Sequence, residues 1–299
     1  MTADFTQDEV FRYARHLVLP EVGFEGQRKL KQASVLLVGT GGLGSPIALY
    51  LAAAGVGRIG LVDFDRVDAS NLQRQVIHTT SRLGTAKVDS ARRQMLELNP
   101  LVQVDTYDVV LSSHNAESIS APYDLLVDGT DNFSTRYLLN DLAVLSGKPY
   151  IYGSIFRFEG QVSVFDARRG PCYRCLFPAP PPPGSVPSCT VAGVMGILPG
   201  TIGTLQATEA IKLITGIGEP LIGRLLLYDA LDTTFQTIRL RKNPSCAVCS
   251  PTPKITHLID YDQFCGAPAS PTQPGDFDPG LEVEPSALAS QLKRGIALQ

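Results

Sequence analysis

Four cysteines fall into two C-x-x-C pairs, Cys172/Cys175 and Cys246/Cys249, with 70 residues between the pairs. Each pair stands beside turn-forming or basic residues, in Gly-Pro-Cys-Tyr-Arg-Cys and Asn-Pro-Ser-Cys-Ala-Val-Cys. A two-residue gap lets both thiolates of a pair face one ion from a tight turn. Two such turns complete a tetrahedral sulfur set, the coordination of a structural Zn2+, with no position left for water. The spacing predicts a metal that clamps two distant segments of one domain. Two disulfides or a redox dithiol are the alternatives. Disulfides call for an oxidising compartment, and nothing in the sequence indicates export.

A second constellation lies upstream. Gly39-Thr-Gly41-Gly42-Leu-Gly44 follows a short apolar run, Ser34–Val38, and leads into a helical run, Ile47–Ala54. Strand, glycine turn and helix form the setting of a phosphate-binding turn, where backbone amides and the helix N-terminus meet anionic oxygens. Asp63 ends the next strand about 20 residues on, where an acid binds ribose hydroxyls. A dehydrogenase using NAD accounts for this much. The next stretch calls for more. Asp63, Asp65, Ser70, Asn71, Leu72, Gln73, Arg74 and Gln75 form a dense polar segment. Asn71, Arg74 and Gln75 can donate to phosphate oxygens, and Lys87 adds a second cation. Asp131, in Asp128-Gly-Thr-Asp131-Asn132, follows a strand and can hold Mg2+ against a triphosphate. Breaking a triphosphate needs cations on the α-phosphate and on the departing pyrophosphate. As a set at strand ends, these residues favour a nucleoside triphosphate.

The elements that must position these groups are legible. Thr6-x-x-Glu9 is a capping box opening a helix from about Gln7 to Leu17, and a second helix covers Glu25–Gln32. Strands are predicted at Ser34–Val38, Arg58–Asp63, Val102–Tyr107, Tyr123–Asp128 and Tyr150–Ser154. Helices are predicted between them, at Ile47–Ala54 (capped by Gly55), Thr85–Leu98 and Phe133–Ser146. The alternation predicts a Rossmann-like α/β fold, a mainly parallel sheet flanked by helices. From Gly160 the pattern changes, with strands at Gln161–Phe165, Leu225–Tyr228 and Phe235–Leu240 and a helix at Thr201–Thr215. The second half is therefore expected to be mixed or antiparallel. Pro178–Pro187 holds six prolines in ten residues and reads as an extended or mobile crossing segment.

Composition narrows the function classes. At 299 residues and 44% hydrophobic content the chain has room for one large domain, or one domain and a tail. A net charge of -3 gives no reason to expect nucleic acid or an anionic membrane as partner. The polar, acidic start is no signal peptide, and the apolar stretch Val191–Leu205 is too broken by Pro199 and four glycines for a span. A cytoplasmic location is expected.

On these motifs the chain resembles the MoeB/ThiF branch of the ubiquitin-activating enzyme superfamily, from about Arg12 to Ile259. The resemblance is carried by Arg12-Tyr-Ala-Arg15-His16 with Leu19-Pro20, by Gly39-Thr-Gly-Gly-Leu-Gly44, by Ser70-Asn-Leu-Gln-Arg-Gln75, by Asp128-Gly-Thr-Asp-Asn132 and by both cysteine pairs. It implies ATP-dependent adenylation of the C-terminal Gly-Gly of a ubiquitin-like sulfur carrier, which then becomes a thiocarboxylate for cofactor, thiamin, tRNA or cysteine pathways. It implies nucleotide contacts at Gly42, Asp63, Ser70 to Arg74, Lys87, Asp131 and Asn132, with magnesium on Asp131. It also implies a homodimer whose partner subunit supplies the arginine at the Arg15 position, zinc on the four cysteines, and a sulfur donor such as a desulfurase or rhodanese. Cys189 matches the superfamily position that forms a thioester or handles sulfur in some members; a plain small loop residue is the alternative. Several members carry a C-terminal rhodanese domain. The expected organisation is an adenylation domain at 1–265, a Pro/Gly-rich linker at 266–280 and the start of a truncated module, rhodanese-like, at 281–299.

The chemistry asks for little else. A terminal carboxyl with a pKa near 3.5 is already ionised and needs no general base. His16, His78, His114 and His257 are accordingly expected to be structural or surface residues. An NAD-dependent oxidoreductase explains the glycine turn and Asp63 but not Arg74, Lys87 or the cysteines. An inactive scaffold subunit would not need Asp131, Lys87 and Arg74.

Overall fold

The structure, a computed structural model, describes residues 5–182, 185 and 192–266. Cys189, most of the linker and the 281–299 module lie outside the described residues, as does part of Pro178–Pro187. Strands β1 (Ser34–Val38), β2 (Arg58–Val62), β3 (Gln103–Tyr107), β4 (Leu125–Asp128), β5 (Tyr150–Phe156), β6 (Glu159–Phe165), β7 (Arg224–Asp229) and β8 (Thr234–Arg239) form one sheet in the order β3-β2-β1-β4-β5-β6-β7-β8. The first five pair in parallel and the last four pair antiparallel, sharing β5. The mixed architecture expected from the change of pattern at Gly160 is therefore present. Parallel strands are covered on both faces, which is why Val35-Leu36-Leu37-Val38 is apolar without alternation and buried throughout.

The helices are α1 (Gln7–Arg12), α2 (Ala14–Leu17), α3 (Gly23–Gln32), α4 (Gly44–Ala54), α5 (Lys87–Leu98), α6 (Ala116–Ser120), α7 (Phe133–Ser146), α8 (Tyr173–Leu176), α9 (Leu198–Thr215) and α10 (Tyr261–Cys265). One face of the sheet packs Val35, Leu37, Ile59, Leu61 and Val127 against α4, α5 and α9. The other packs Leu36, Val38, Leu126, Tyr150 and Phe165 against α7 and α10. Among the described residues, no helix is long and apolar enough to cross a membrane.

Two expectations need correction. The capping box at Thr6 and Glu9 is formed, but the predicted Gln7–Leu17 helix breaks at Tyr13, at φ -96° and ψ 13°. The Tyr13 hydroxyl accepts from buried Asn99 at 2.8 Å and its ring covers Gly55, so a tertiary anchor turns the chain there. The helix predicted from Thr85 starts at Lys87, because the residues before it are drawn to the Val67 segment by the Val67 N–H bond to Thr85 O. The short helices α6, α8 and α10 carry too few residues for a periodic signal.

β1 has β2 on one side and β4 on the other, so the connections after β1 and β4 diverge. A crevice opens at such a switch point, outside the carboxyl ends of the strands. The glycine turn after β1, the polar segment after β2 and the Asp128–Asn132 segment after β4 all end there.

Candidate active site

At the switch point lies a cavity of about 440 Å3. Its floor is the turn from Gly39 to Gly42. Gly39 has φ +88°, and a Cβ there would stand 2.8 Å from the Gly129 carbonyl. A Cβ on Gly44 would stand 2.0 Å from the Gly39 carbonyl oxygen. Only glycine permits this contact between the β1 turn, the start of α4 and the end of β4. Gly44 is thus a packing residue and does not line the cavity, unlike Gly39, Gly41 and Gly42.

Asp63 is bonded into the backbone around it. Its Oδ2 accepts from the Thr40 N–H at 2.8 Å and the Thr40 hydroxyl at 2.9 Å, and its Oδ1 accepts from the Asp65 N–H at 3.0 Å. The carboxylate ties the glycine turn to the end of β2. His78 ties the same turn to α5. Its Nε2–H donates to the Thr40 carbonyl at 3.0 Å, and its Nδ1 accepts from the Ser90 hydroxyl at 2.9 Å. Burial holds its pKa down to about 4, so the ring is neutral at pH 7. A folded pKa below the unfolded value of about 6.5 gives stability that is present above pH 6.5 and lost as pH falls toward 4. The Tm gap between wild type and His78→Gln should therefore shrink on going from pH 7 to pH 4.5. A gap independent of pH would contradict the neutral, buried imidazole.

The cations come from the segment after β2. Asn71 Oδ1 accepts from Arg74 Nη2 at 3.0 Å and from Gln75 Nε2 at 3.1 Å, which aligns both side chains along the cavity wall. Lys87 opens α5. It is buried, and its Nζ donates to Asp65 at 2.7 Å. Gln75 Oε1 is buried in this wall and has no hydrogen-bond partner among the described residues. Across the glycine turn stand Asp131, exposed and free of hydrogen bonds among the described residues, and Asn132. Asn132 Oδ1 caps α7 by accepting from the Thr135 N–H at 2.8 Å, which leaves its amide nitrogen for a ligand. Asp128 is wholly buried, which raises its pKa. It accepts from Thr130 N–H at 2.9 Å, Thr130 Oγ at 2.6 Å and Tyr150 Oη at 2.6 Å, and so shapes the loop that presents Asp131.

Of the residues expected at the site, the cavity is lined by Gly39, Gly41, Gly42, Asp63, Asp65, Asn71, Arg74, Gln75, Lys87, Asp131 and Asn132. Ser70, Leu72 and Gln73 do not line it. Ser70 is turned to Asp68, which accepts from its N–H at 2.8 Å and its hydroxyl at 2.5 Å, and Gln73 lies against Gly196. Arg15 is on the exposed surface of α2, outside the cavity of its own chain. One part of the site escaped sequence reasoning. Phe64, Val109, Val110 and Leu111 form an apolar wall, with Phe64 57% and Val110 58% exposed. Val109, Val110 and Leu111 follow the edge strand β3 after Asp108, and their meaning depends on the concavity they share with Phe64. A wall of this kind can stack a flat apolar ring.

The four cysteines converge elsewhere, under the antiparallel half. Their Sγ atoms all lie within 4.8 Å of one another, with Cys172–Cys246 at 3.5 Å, Cys175–Cys249 at 3.4 Å and Cys172–Cys175 at 3.8 Å. Sulfurs about 2.3 Å from a central zinc stand roughly 3.8 Å apart, whereas a disulfide needs about 2.05 Å. The donor set and spacing fit zinc and exclude the disulfide alternative for these residues.

Fold and cavity together define a Rossmann-like nucleotide-binding protein whose site is charged for several phosphates and carries a sulfur tetrad in its second half. The ThiF family profile matches residues 13–248, and the chain belongs to that family. It is 55% identical over 267 residues to the sulfur carrier protein adenylyltransferase of Thermus thermophilus, covering 88% of this chain and 98% of that one. It is 57% identical over 294 residues to the probable adenylyltransferase/sulfurtransferase MoeZ of Mycobacterium tuberculosis, covering 97% of this chain and 73% of that one. Among solved structures, E. coli MccB with ATP shares the fold at a TM-score of 0.70 and 23% identity, over 80% of this chain and 74% of that one.

Proposed function

We propose that this protein adenylates the C-terminal carboxylate of a ubiquitin-like sulfur carrier, with ATP as co-substrate. The observation that carries the reading is the pairing of Arg74 and Lys87 on one side of the glycine turn with Asp131 on the other, in a chain more than half identical to a sulfur carrier protein adenylyltransferase. In the reaction a carboxylate oxygen attacks the α-phosphorus. The bond to the bridging oxygen of pyrophosphate breaks, giving acyl-adenylate and pyrophosphate. The carboxylate is already ionised, so the residues bind and neutralise charge and move no proton. Arg74 and Lys87 serve the triphosphate oxygens, Asn71, itself held by Gln75, orients the first of them, and Asn132 offers its amide. Asp131 would hold Mg2+, which supplies further charge neutralisation on the triphosphate when bound. His78 takes no part in proton transfer, since both its nitrogens are engaged and the ring is neutral.

In the same reading the cysteine tetrad holds zinc, and the finished adenylate passes to a sulfur donor, with Cys189 a residue that handles sulfur. Arg15 reaches the site of a second copy in a homodimer, which accounts for its exposure in its own chain. Mixed dimers of Arg15→Ala and Asp131→Ala chains then regain activity in one of their two sites.

The experiment is ATP–pyrophosphate exchange. Exchange is expected only when Mg2+ and a Gly-Gly-ending carrier are both present, and to be lost in Asp131→Ala. A protein that shows no exchange with any such carrier but is stabilised by NAD would return the site to the oxidoreductase reading.

A further inference from the structure

Arg136 stands in the first turns of α7, next to the cavity-lining Thr135, and is 6% exposed. A guanidinium carries five donors and is costly to bury without an acceptor. The other deeply buried arginines obey this rule. Arg174 makes two hydrogen bonds to Asp141, at 2.7 and 2.8 Å, and Arg82 reaches the Ser90 carbonyl at 2.9 Å and Glu97 at 3.3 Å. Arg136 breaks it. Among the described residues its side chain makes no hydrogen bond and no salt bridge, and its Nε is sealed from water with no partner.

The one buried acid in its field is Asp128, and the oxygens of that acid are already taken by Thr130 and Tyr150. What does hold the guanidinium is aromatic. The Phe133 ring centroid lies 5.4 Å and the Tyr152 centroid 5.7 Å from its central carbon. Rings fix the plane of the fork and leave its N–H groups unspent. A planar, pre-oriented, unsatisfied guanidinium is a receptor for a planar anion with two oxygens.

Phosphate is the weaker choice of guest. The phosphate-binding cations, Arg74 and Lys87, come from the segments after β2, on the far side of the glycine turn, and Arg136 is not in the wall of that cavity. Its neighbours in sequence, Asp131, Asn132 and Thr135, line the opposite wall of the cavity, so Arg136 flanks the site on the side away from those cations. We infer that Arg136 is the receptor for the C-terminal carboxylate of the incoming polypeptide, reading its charge before the acyl group is placed on the α-phosphate. The inference rests on the proposed function and names one recognition element within it. Once one carboxylate oxygen is bonded to phosphorus, the remaining carbonyl is neutral, so the grip weakens as the acyl-adenylate forms.

The test uses a short synthetic peptide ending in Gly-Gly, prepared as free acid and as C-terminal amide, titrated into the whole protein. A charge-assisted pair predicts that wild type prefers the acid by roughly 10–100-fold. Arg136→Gln should bind both peptides alike, and Arg136→Lys should recover part of the preference, with the affinity for ATP unchanged in both. Nitrogen-15 NMR of the wild type adds a readout that needs no variant: the Arg136 Nε–H signal should shift with the acid and not with the amide. Equal binding of acid and amide by wild type, or a preference that survives in Arg136→Gln, overturns the inference. Neither result touches the proposed function, which stands or falls on carrier-dependent exchange in the wild type.

Discussion

Lys87→Ala is expected to slow carrier-dependent ATP–pyrophosphate exchange by roughly 10²–10³, the scale of one preorganised charge donor, while Tm moves little. The asymmetry comes from the ion pair it leaves behind. The Lys87 side chain is 6% exposed, whereas that of its partner Asp65 is 51% exposed. Deleting the lysine therefore strands no buried charge, because water takes over Asp65. The same deletion leaves Arg74 as the single cation of the pair proposed to serve the triphosphate. Lys87→Arg keeps the charge but adds bulk at a buried helix start, and should recover part of the rate. Exchange and thermal melting on the same samples decide the matter. A variant that melts well below wild type but retains its exchange rate would make Lys87 a structural residue.

Cys246→Ser is expected to empty the metal site and lower Tm by about 10 °C or more, because the binding energy of a structural metal is folding energy. Cys172 and Cys246 are buried with Val248 in a small core of their own, with Val144, Ala167 and Ile255 at its margin. That core has few apolar residues, so a metal held by the tetrad would bear most of its cohesion. It joins the end of β6 and α8 to the segment beyond β8, closing a long excursion that includes β7 and α9. A chelator should reproduce the loss in the wild type. Cys265→Ser, half-buried and outside the tetrad, should leave zinc content unchanged. Zinc-free wild type of full stability, by elemental analysis and melting, would refute the assignment.

Sequence and structure agree where one physical signal governs. Ser34–Val38 and Phe133–Ser146 coincide with β1 and α7, the first an apolar run and the second a longer mixed helical run, each ended by a glycine that can turn, Gly39 at φ +88° and Gly147 at φ +67°. The cysteine pairs were legible because sulfur at fixed spacing has few other uses. What spacing leaves open is which backbone amide reaches which oxygen. Asp63 binds Thr40, Asn132 caps α7 and Ser70 serves Asp68, and no spacing rule separates a carboxylate or amide facing a ligand from one facing its own chain. The apolar wall of Phe64 and Val110 was illegible for a related reason: exposed apolar residues in loops acquire meaning only when the concavity they share is known. Arg136 is a still harder case, since its signal is the lack of an acceptor.

The glycine contact at the switch point has a consequence for how this site can diverge or be redesigned. Gly39, Gly44 and Gly129 meet backbone to backbone, with no room for even a methyl group between them. A cradle of that kind offers no graded variants: a substitution either leaves it intact or pries β1 from β4. The side chains of Phe64, Val109 and Val110, in contrast, border open space and have room for exchange, whereas Leu111 of the same wall is buried in the core. Selection and engineering alike meet a fixed glycine floor beside a replaceable apolar rim.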